Sequence, residues 1–104
     1  MTGGAGFIGS HLVDALVGGG AQVYVIDDMS AGTTENLASW KQDIEIHAVD
    51  VRTETLSGNF SHSIDVIFHL AANASVPRSV ADPSDDFSRN AAGTLNVLEC
   101  ARKW

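Results

Sequence analysis

The run GGAGFIG at residues 3–9 restricts the possible folds of this chain more than any other segment. It reads as G-x-G-x-x-G through Gly4, Gly6 and Gly9, and as G-x-x-G-x-x-G when Gly3 replaces Gly4. Such a loop needs one glycine for a tight turn, one for close approach of the backbone to a pyrophosphate, and one for close helix packing. The following helix N-terminus then presents free amides to the phosphates. An isolated match is equally compatible with a glycine-rich turn between packed elements, so the interpretation needs support from other segments.

The hydrophobic pattern after this loop alternates between short apolar runs and stretches with helical spacing. It predicts strands at 21–26, 44–49 and 64–70, and helices at 8–17, 34–40 and 83–103. It also predicts a weak helix or loop at 53–60 and a loop at 71–81. Strands that alternate with helices at this spacing indicate an α/β fold with a parallel sheet. The nearly unbroken apolar run at 64–70 is typical of a strand covered on both faces.

The last predicted helix carries clear signals at its start. Asp82 is a capping carboxylate and Pro83 suits the first helical position. Helical spacing predicts an inward stripe formed by Phe87, Ala91, Thr94, Leu95, Leu98 and Ala101.

Asp27 supports the phosphate-loop interpretation because it ends the first strand after the loop. A carboxylate about 20 residues beyond a glycine loop is the group that accepts hydrogen bonds from adenosine ribose hydroxyls. It would also repel a 2′-phosphate, which favours NAD over NADP. The alternative is a solvated carboxylate that opens a turn, and the neighbouring Asp28 is assigned to that turn.

Two further strand ends carry polar side chains with more than one interpretation. Asp50 could meet the adenine amino group or serve as another turn carboxylate. His69 could be a core residue, support the site from behind, or face the cofactor.

Composition excludes several other classes of protein. A net charge of −7 argues against nucleic acid as a partner, and no apolar run has the length of a membrane span. The absence of a signal-peptide pattern and the single cysteine, Cys100, favour a cytoplasmic protein. The four histidines lack metal-ligand spacing, so no metal site is predicted. No serine sits in a nucleophile-elbow pattern either.

Eight segments together resemble the extended short-chain dehydrogenases/reductases, and within them the nucleotide-sugar epimerases and dehydratases of the UDP-glucose 4-epimerase type. The matching segments are 2–13, 27–32, 50–52, 69–72, 75–79, 82–83, Asn90 and 93–99. The resemblance implies NAD as cofactor, transient oxidation of a sugar hydroxyl, and proton transfer by a Ser or Thr with a Tyr-x-x-x-Lys pair. Asn90 would be a structural or cofactor-proximal residue.

The resemblance also implies which residues hold the cofactor. The pyrophosphate site would be lined by Gly3, Gly6, Phe7, Ile8 and Gly9. Asp27 would bind the adenosine ribose, Asp50 and Val51 the adenine, and Leu70, Ala71 and Ala72 would flank the cofactor.

Two departures from the family pattern shape the expectation for residues 1–104. Only Met1 and Thr2 precede Gly3, where the family has its central first strand, and the only tyrosine, Tyr24, has no lysine four residues later. We therefore expect a partial NAD-binding Rossmann domain, with an incomplete parallel sheet of about three strands flanked by helices, and no catalytic residues of its own. Its unpaired strand edges would favour a homo-oligomer, strand exchange or an altered strand order. The alternative is a self-associating Rossmann-like chain that binds no ligand.

Overall fold

The computed structural model describes residues 1–53, 56 and 63–103. In chain order the elements are helix α1 (Phe7–Gly18), strand β1 (Tyr24–Asp27), a 3-10 helix (Thr34–Trp40), strand β2 (Glu45–Ala48), helix α2 (Val76–Ala81), helix α3 (Pro83–Phe87), a π-helical turn (Ser88–Ala92) and helix α4 (Gly93–Ala101). None of the helices in these ranges is long and apolar enough to cross a membrane.

The sheet is parallel, as predicted. β1 pairs with β2 from Tyr24↔Glu45 to Asp27↔Ala48. Thr2 extends the sheet on the other side of β1, with parallel bridges to Ile26 and to His69. The order is therefore β2, β1, Thr2 and the segment around His69, and the predicted α/β, Rossmann-like class is confirmed.

The apolar segment 64–70 was predicted as a full strand, but within it the structure pairs only His69. Its neighbour in the sheet is Thr2, whose amide donates to Phe68 O at 2.9 Å and whose carbonyl accepts from Leu70 N at 3.1 Å. The preceding carbonyl, that of Met1, accepts from Ile26 N in β1. The ladder of hydrogen bonds on this side of β1 is short because Met1 and Thr2 supply the backbone groups that form it.

Two hydrophobic clusters cover the two faces of β1. The first contains Val13 from α1, Val25 from β1 and Leu37 from the 3-10 helix. The second joins Ile26 from β1 to Val97 and Cys100 from α4. Because Val25 and Ile26 point to opposite faces of the strand, both faces must be covered.

The predicted inward stripe of the last helix is wrong, since Phe87, Leu95 and Leu98 are 67%, 60% and 58% exposed. Ala91 and Ala101 are exposed as well, and Thr94 is half-buried. The buried residues of α4 are Gly93, Val97 and Cys100. The prediction assumed an uninterrupted α-helix, whereas the π-helical turn before α4 alters the helical register. Gly93 then allows close packing, because a Cβ on it would lie 3.0 Å from Val51 Cγ2.

The segment 71–81 also differs from the prediction, because α2 forms at Val76–Ala81. Ser75 caps it by accepting a hydrogen bond from Arg78 N at 3.4 Å, and a proline occupies its first turn. The predicted start of the next helix is confirmed, since Asp82 accepts from Asp85 N at 2.9 Å. The expectation for 53–60 falls largely outside the described residues.

Candidate cofactor-binding site

The glycine loop folds tightly between the sheet and α1. Gly3 has a φ of +69°, and its amide donates to Ile26 O at 2.8 Å. A Cβ on Gly3 would lie 2.6 Å from Ala71 N, and a Cβ on Gly9 would lie 2.1 Å from Gly3 O. Both distances are shorter than any side chain tolerates, so glycine is required at both positions.

The N-terminus of α1 follows this loop, and its first turn contains no acidic residue. Gly6 is the cap residue of the helix and makes no side-chain capping bond. The first-turn amides of a helix lack acceptors within the helix itself, so this end suits an anion. Phe7 and Ile8 lie here with 79% and 69% of their surface exposed.

Asp27 connects the end of β1 to the glycine loop. Its carboxylate is buried and accepts hydrogen bonds from Ala5 N at 3.0 Å and from Met29 N at 2.9 Å, one at each oxygen. Each carboxylate oxygen has two lone pairs, so capacity for two further donors remains. Asp27 therefore has both a structural role and the means to bind a ligand.

Asp50 lies beyond the end of β2 beside a guanidinium. Arg52 Nε donates to its two oxygens at 2.9 and 3.0 Å, and Arg52 N donates at 2.8 Å. The side-chain hydrogen bonds from Arg52 hold the pKa of Asp50 below its usual range, against the opposing effect of burial. Asp50 is therefore a charged acceptor at the edge of the site.

His69 lies in a chain of hydrogen bonds behind the site. Its Nδ1 is 2.6 Å from Thr2 Oγ1 and its Nε2 is 2.9 Å from Thr94 Oγ1. Thr94 Oγ1 donates to Asn90 O, so it accepts from Nε2–H; Nδ1 then accepts from Thr2, whose oxygen accepts from Ala71 N. Burial lowers the pKa of His69, in keeping with this neutral tautomer. Of its three interpretations, the contacts match a residue that supports the site from behind.

The elements converge on a cavity of about 120 Å³, enough for several water molecules and larger than a packing defect. Eight of the predicted site residues line it: Gly3, Gly6, Asp27, Asp50, Val51, Leu70, Ala71 and Ala72. The other three, Phe7, Ile8 and Gly9, are not among the lining residues; the first two lie at the exposed start of α1 and the third packs against the loop.

Six further residues line the cavity without having been assigned to it: Asp28, Ser30, Ala31, Gly32, Val49 and Arg89. Asp28 forms the expected turn, because its Oδ1 accepts from Ser30 N and Oγ at 2.9 and 2.6 Å. Its Oδ2 also lies 3.4 Å from Arg89 Nη1. The loop residues follow the strand end directly and could have been inferred from that position, whereas no local signal marks Arg89.

Asn90 fixes the loop after His69. Its Oδ1 accepts from Asn73 N at 2.7 Å, and its Nδ2 donates to Asn73 O at 3.1 Å. This pairing holds the backbone beyond Ala72 against the π-helical turn.

A parallel sheet, a glycine loop leading into a helix and an acidic strand end around one cavity together define a dinucleotide-binding domain of the Rossmann type. The family model described as GDP-mannose 4,6 dehydratase matches residues 1–104. The chain belongs to this family, one of extended short-chain dehydrogenases/reductases that act as nucleotide-sugar epimerases and dehydratases.

Individual proteins similar to this chain are also nucleotide-sugar epimerases and dehydratases. A UDP-glucose 4-epimerase of Mycolicibacterium smegmatis is 45% identical over 98% of this chain and 34% of its own length. A solved UDP-glucose 4-epimerase of Thermotoga maritima superimposes with a TM-score of 0.90 at 42% identity, over 98% of this chain and 33% of that one. A dTDP-glucose 4,6-dehydratase of Streptomyces venezuelae with NAD bound gives 0.89 at 36% identity, over 98% and 34%. The chain thus spans about one third of these relatives' length, and NAD is a cofactor of the family.

Proposed function

We propose that residues 1–104 form the NAD-binding portion of a nucleotide-sugar epimerase or dehydratase, as a partial Rossmann domain. The observation that carries this proposal is Asp27, which is buried in the cavity wall and bound to the backbone of the glycine loop. Each oxygen of this carboxylate accepts one backbone amide and can accept one further hydrogen bond, and ribose hydroxyls are donors of the right kind.

The residues around Asp27 fit the remaining parts of NAD. Gly3 and Gly6, with the amides of Phe7 and Ile8, would hold the pyrophosphate at the start of α1, and Gly9 permits the close approach of that helix.

Beyond the ribose, Asp50 and Val51 would meet the adenine, while Leu70, Ala71 and Ala72 would flank the cofactor. When bound, NAD supplies the acceptor and donor of a hydride; the protein groups bind and orient it.

The cavity favours NAD over NADP. A 2′-phosphate beside the ribose would meet the carboxylates of Asp27 and Asp28, which both line the cavity. Like charges this close repel each other, so we expect tighter binding of NAD.

The family's reaction needs a Tyr-x-x-x-Lys pair for proton transfer in addition to the residues that bind the cofactor. Tyr24 lies buried in β1, and Asp28, not lysine, stands four residues after it. We propose that residues 1–104 alone are catalytically inert, with no turnover of UDP-glucose in the presence of NAD. We also propose a cytoplasmic location, in keeping with a single, buried cysteine, Cys100, that forms no disulfide.

Calorimetric titration with NAD and NADP tests the binding proposal. We expect saturable binding of NAD, weaker binding of NADP, and loss of NAD binding in Asp27→Asn, since an amide nitrogen would face a backbone donor. Asp43→Asn is the matched control because Asp43 is exposed and precedes β2, at the opposite end of the sheet. No binding of NAD by the wild-type chain would refute the proposal.

A second property, self-association, is favoured by a groove of about 580 Å³ between the start of β1 and residues 63–68. Val66 and Phe68 beside it are 64% and 36% exposed. Apolar groups and backbone along a poorly paired edge are a template for another strand. We propose that a second copy of the chain pairs here.

Sedimentation velocity over a range of concentrations tests this association. Val66→Lys should shift the chain toward monomer, because an edge lysine opposes strand pairing. Leu98→Lys, equally apolar and exposed but on α4, should behave like the wild type. A wild-type chain that stays monomeric at high concentration would contradict the proposal. Association without any NAD binding would instead support the ligand-free alternative.

A further inference from the structure

Four charged side chains form a continuous chain of ion pairs along one side of the cavity. Arg52 Nη1 lies 3.0 Å from Asp85 Oδ1, and Arg89 Nε lies 2.7 Å from Asp85 Oδ2. Arg89 Nη1 then reaches Asp28 Oδ2 at 3.4 Å. The chain links the exits of β2 and β1 to the helical segment 83–92, and two of its members, Asp28 and Arg89, line the cavity.

Arg89 lies within the π-helical turn. Consecutive residues in this turn face different walls, since Arg89 points to the end of β1 and Asn90 to the loop at Asn73. π-helical turns are rare and occur frequently at functional sites. Here the turn brings a side chain distant in sequence to the cavity that contains Asp27 and Asp50.

The carboxylates of Asp85 and Asp28 accept hydrogen bonds from the guanidinium of Arg89 but leave some of its N–H groups unused. They engage two of about five N–H groups of an arginine side chain, which leaves the planar face uncommitted. The side chain is 28% exposed, so it is largely withdrawn from water and ordered by its partners. A guanidinium fixed in this way suits stacking on a flat aromatic ring.

We propose that Arg89 packs its guanidinium face on the adenine ring of the bound dinucleotide and so contributes to recognition of its adenosine end. This inference rests on the proposed NAD function. Asp85 and Asp28 are positioning residues, because they act through Arg89, whereas Arg89 touches the ligand itself.

Affinities of Arg89→Lys for NAD and for ADP-ribose, measured by calorimetry, test the assignment. Lysine retains the charge for Asp85 and Asp28 but lacks the planar face. We expect both affinities to fall about three- to thirtyfold, the range of cation–π contacts. Arg102→Lys is the matched control, because Arg102 is exposed at the end of α4 and pairs with Glu99. Its affinities should equal those of the wild type.

The Asp85→Asn variant distinguishes direct contact between Arg89 and the ligand from a purely structural role of the ion pairs. It removes the carboxylate shared by Arg52 and Arg89 but keeps the guanidinium of Arg89. We expect it to lower the thermal midpoint more than Arg89→Lys and the NAD affinity less. Wild-type affinity in Arg89→Lys, or a loss in Asp85→Asn equal to that in Arg89→Lys, would overturn the inference while leaving the proposed function intact. A wild-type chain that binds no NAD would refute the proposed function itself.

Discussion

At the scale of single residues, the glycine loop is restricted by the space around it as well as by its backbone angles. Gly9 lies on the helix side of the loop, where a Cβ would approach Gly3 O to 2.1 Å and Gly4 Cα to 2.7 Å. Both neighbours are backbone atoms, which cannot move aside without opening the loop. The same loop carries the amide that binds Asp27.

Gly9→Ala should therefore destabilise the chain by about 1–3 kcal/mol, the usual cost of overpacking, and weaken NAD binding. Urea unfolding and calorimetry measure the two effects. Gly18→Ala is the control, because Gly18 ends α1 and nothing lies within 4 Å of its added Cβ. Alanine there should leave stability unchanged or raise it by up to about 1 kcal/mol. Equal effects at the two positions would show that packing does not explain the motif.

His69 makes stability depend on pH in a defined direction. Burial lowers its pKa in the folded state below the value of about 6.5 in the unfolded chain. The unfolded chain therefore binds more protons, and stability is lost as the pH falls below about 6.5. Urea unfolding at several pH values should show a steeper decline between pH 7 and 5 for the wild type than for His69→Gln. Identical slopes would contradict the assignment.

A separate acid-sensitive range arises from the carboxylates. Hydrogen bonds from Arg52 and Arg89 lower the pKa of Asp50 and Asp85, respectively. Stability from these groups is present above their unfolded pKa of about 4 and is lost at lower pH. The two ranges are distinct, so His69→Gln should alter only the upper one.

At the scale of elements, the sequence predicts those features that depend on local spacing. The 3-10 helix lies at the predicted residues 34–40, and the cap at Asp82 is present, because capping and turn chemistry act over three or four residues. α1 and β2 lie within one residue of their predicted bounds, whereas β1 begins three residues later than predicted and ends one residue later.

Features that depend on distant partners were missed. The buried face of α4 follows from the π-helical turn and from the contact of Gly93 with Val51, and neither appears in the local pattern. Arg89 reaches the cavity through Asp28, which lies 61 positions earlier in the chain. The eight predicted residues that do line the cavity belong to strand ends and the glycine loop, where position along the chain determines position in space.

The buried face of α4 can be tested by truncation. Val97 is 4% exposed and packs with Ile26 and Val51, whereas Leu98 is 58% exposed. Val97→Ala should lower the unfolding free energy by about 1.5–3 kcal/mol, and Leu98→Ala by less than about 0.5 kcal/mol. Urea denaturation measures both. A larger loss of unfolding free energy in Leu98→Ala than in Val97→Ala would support the buried face that helical spacing predicts.

At the scale of the whole molecule, β1 separates two hydrophobic clusters and ends at the cavity. Ile26 packs against the α4 side, Val25 against the α1 side, and Asp27 follows at the carboxyl edge. The groove beside residues 63–68 lies at the other end of the sheet. The proposed ligand site and the proposed self-association surface are therefore lined by different residues of the chain.

This separation makes amide chemical shifts, followed by NMR during titration with NAD, the most direct test of the account. NAD should shift the amides of Gly3, Gly6, Asp27, Val51 and Ala71, while Val66 and Phe68 beside the groove stay unchanged. Shifts confined to the groove, or no shifts at saturating NAD, would contradict the assignment of this cavity as the cofactor site.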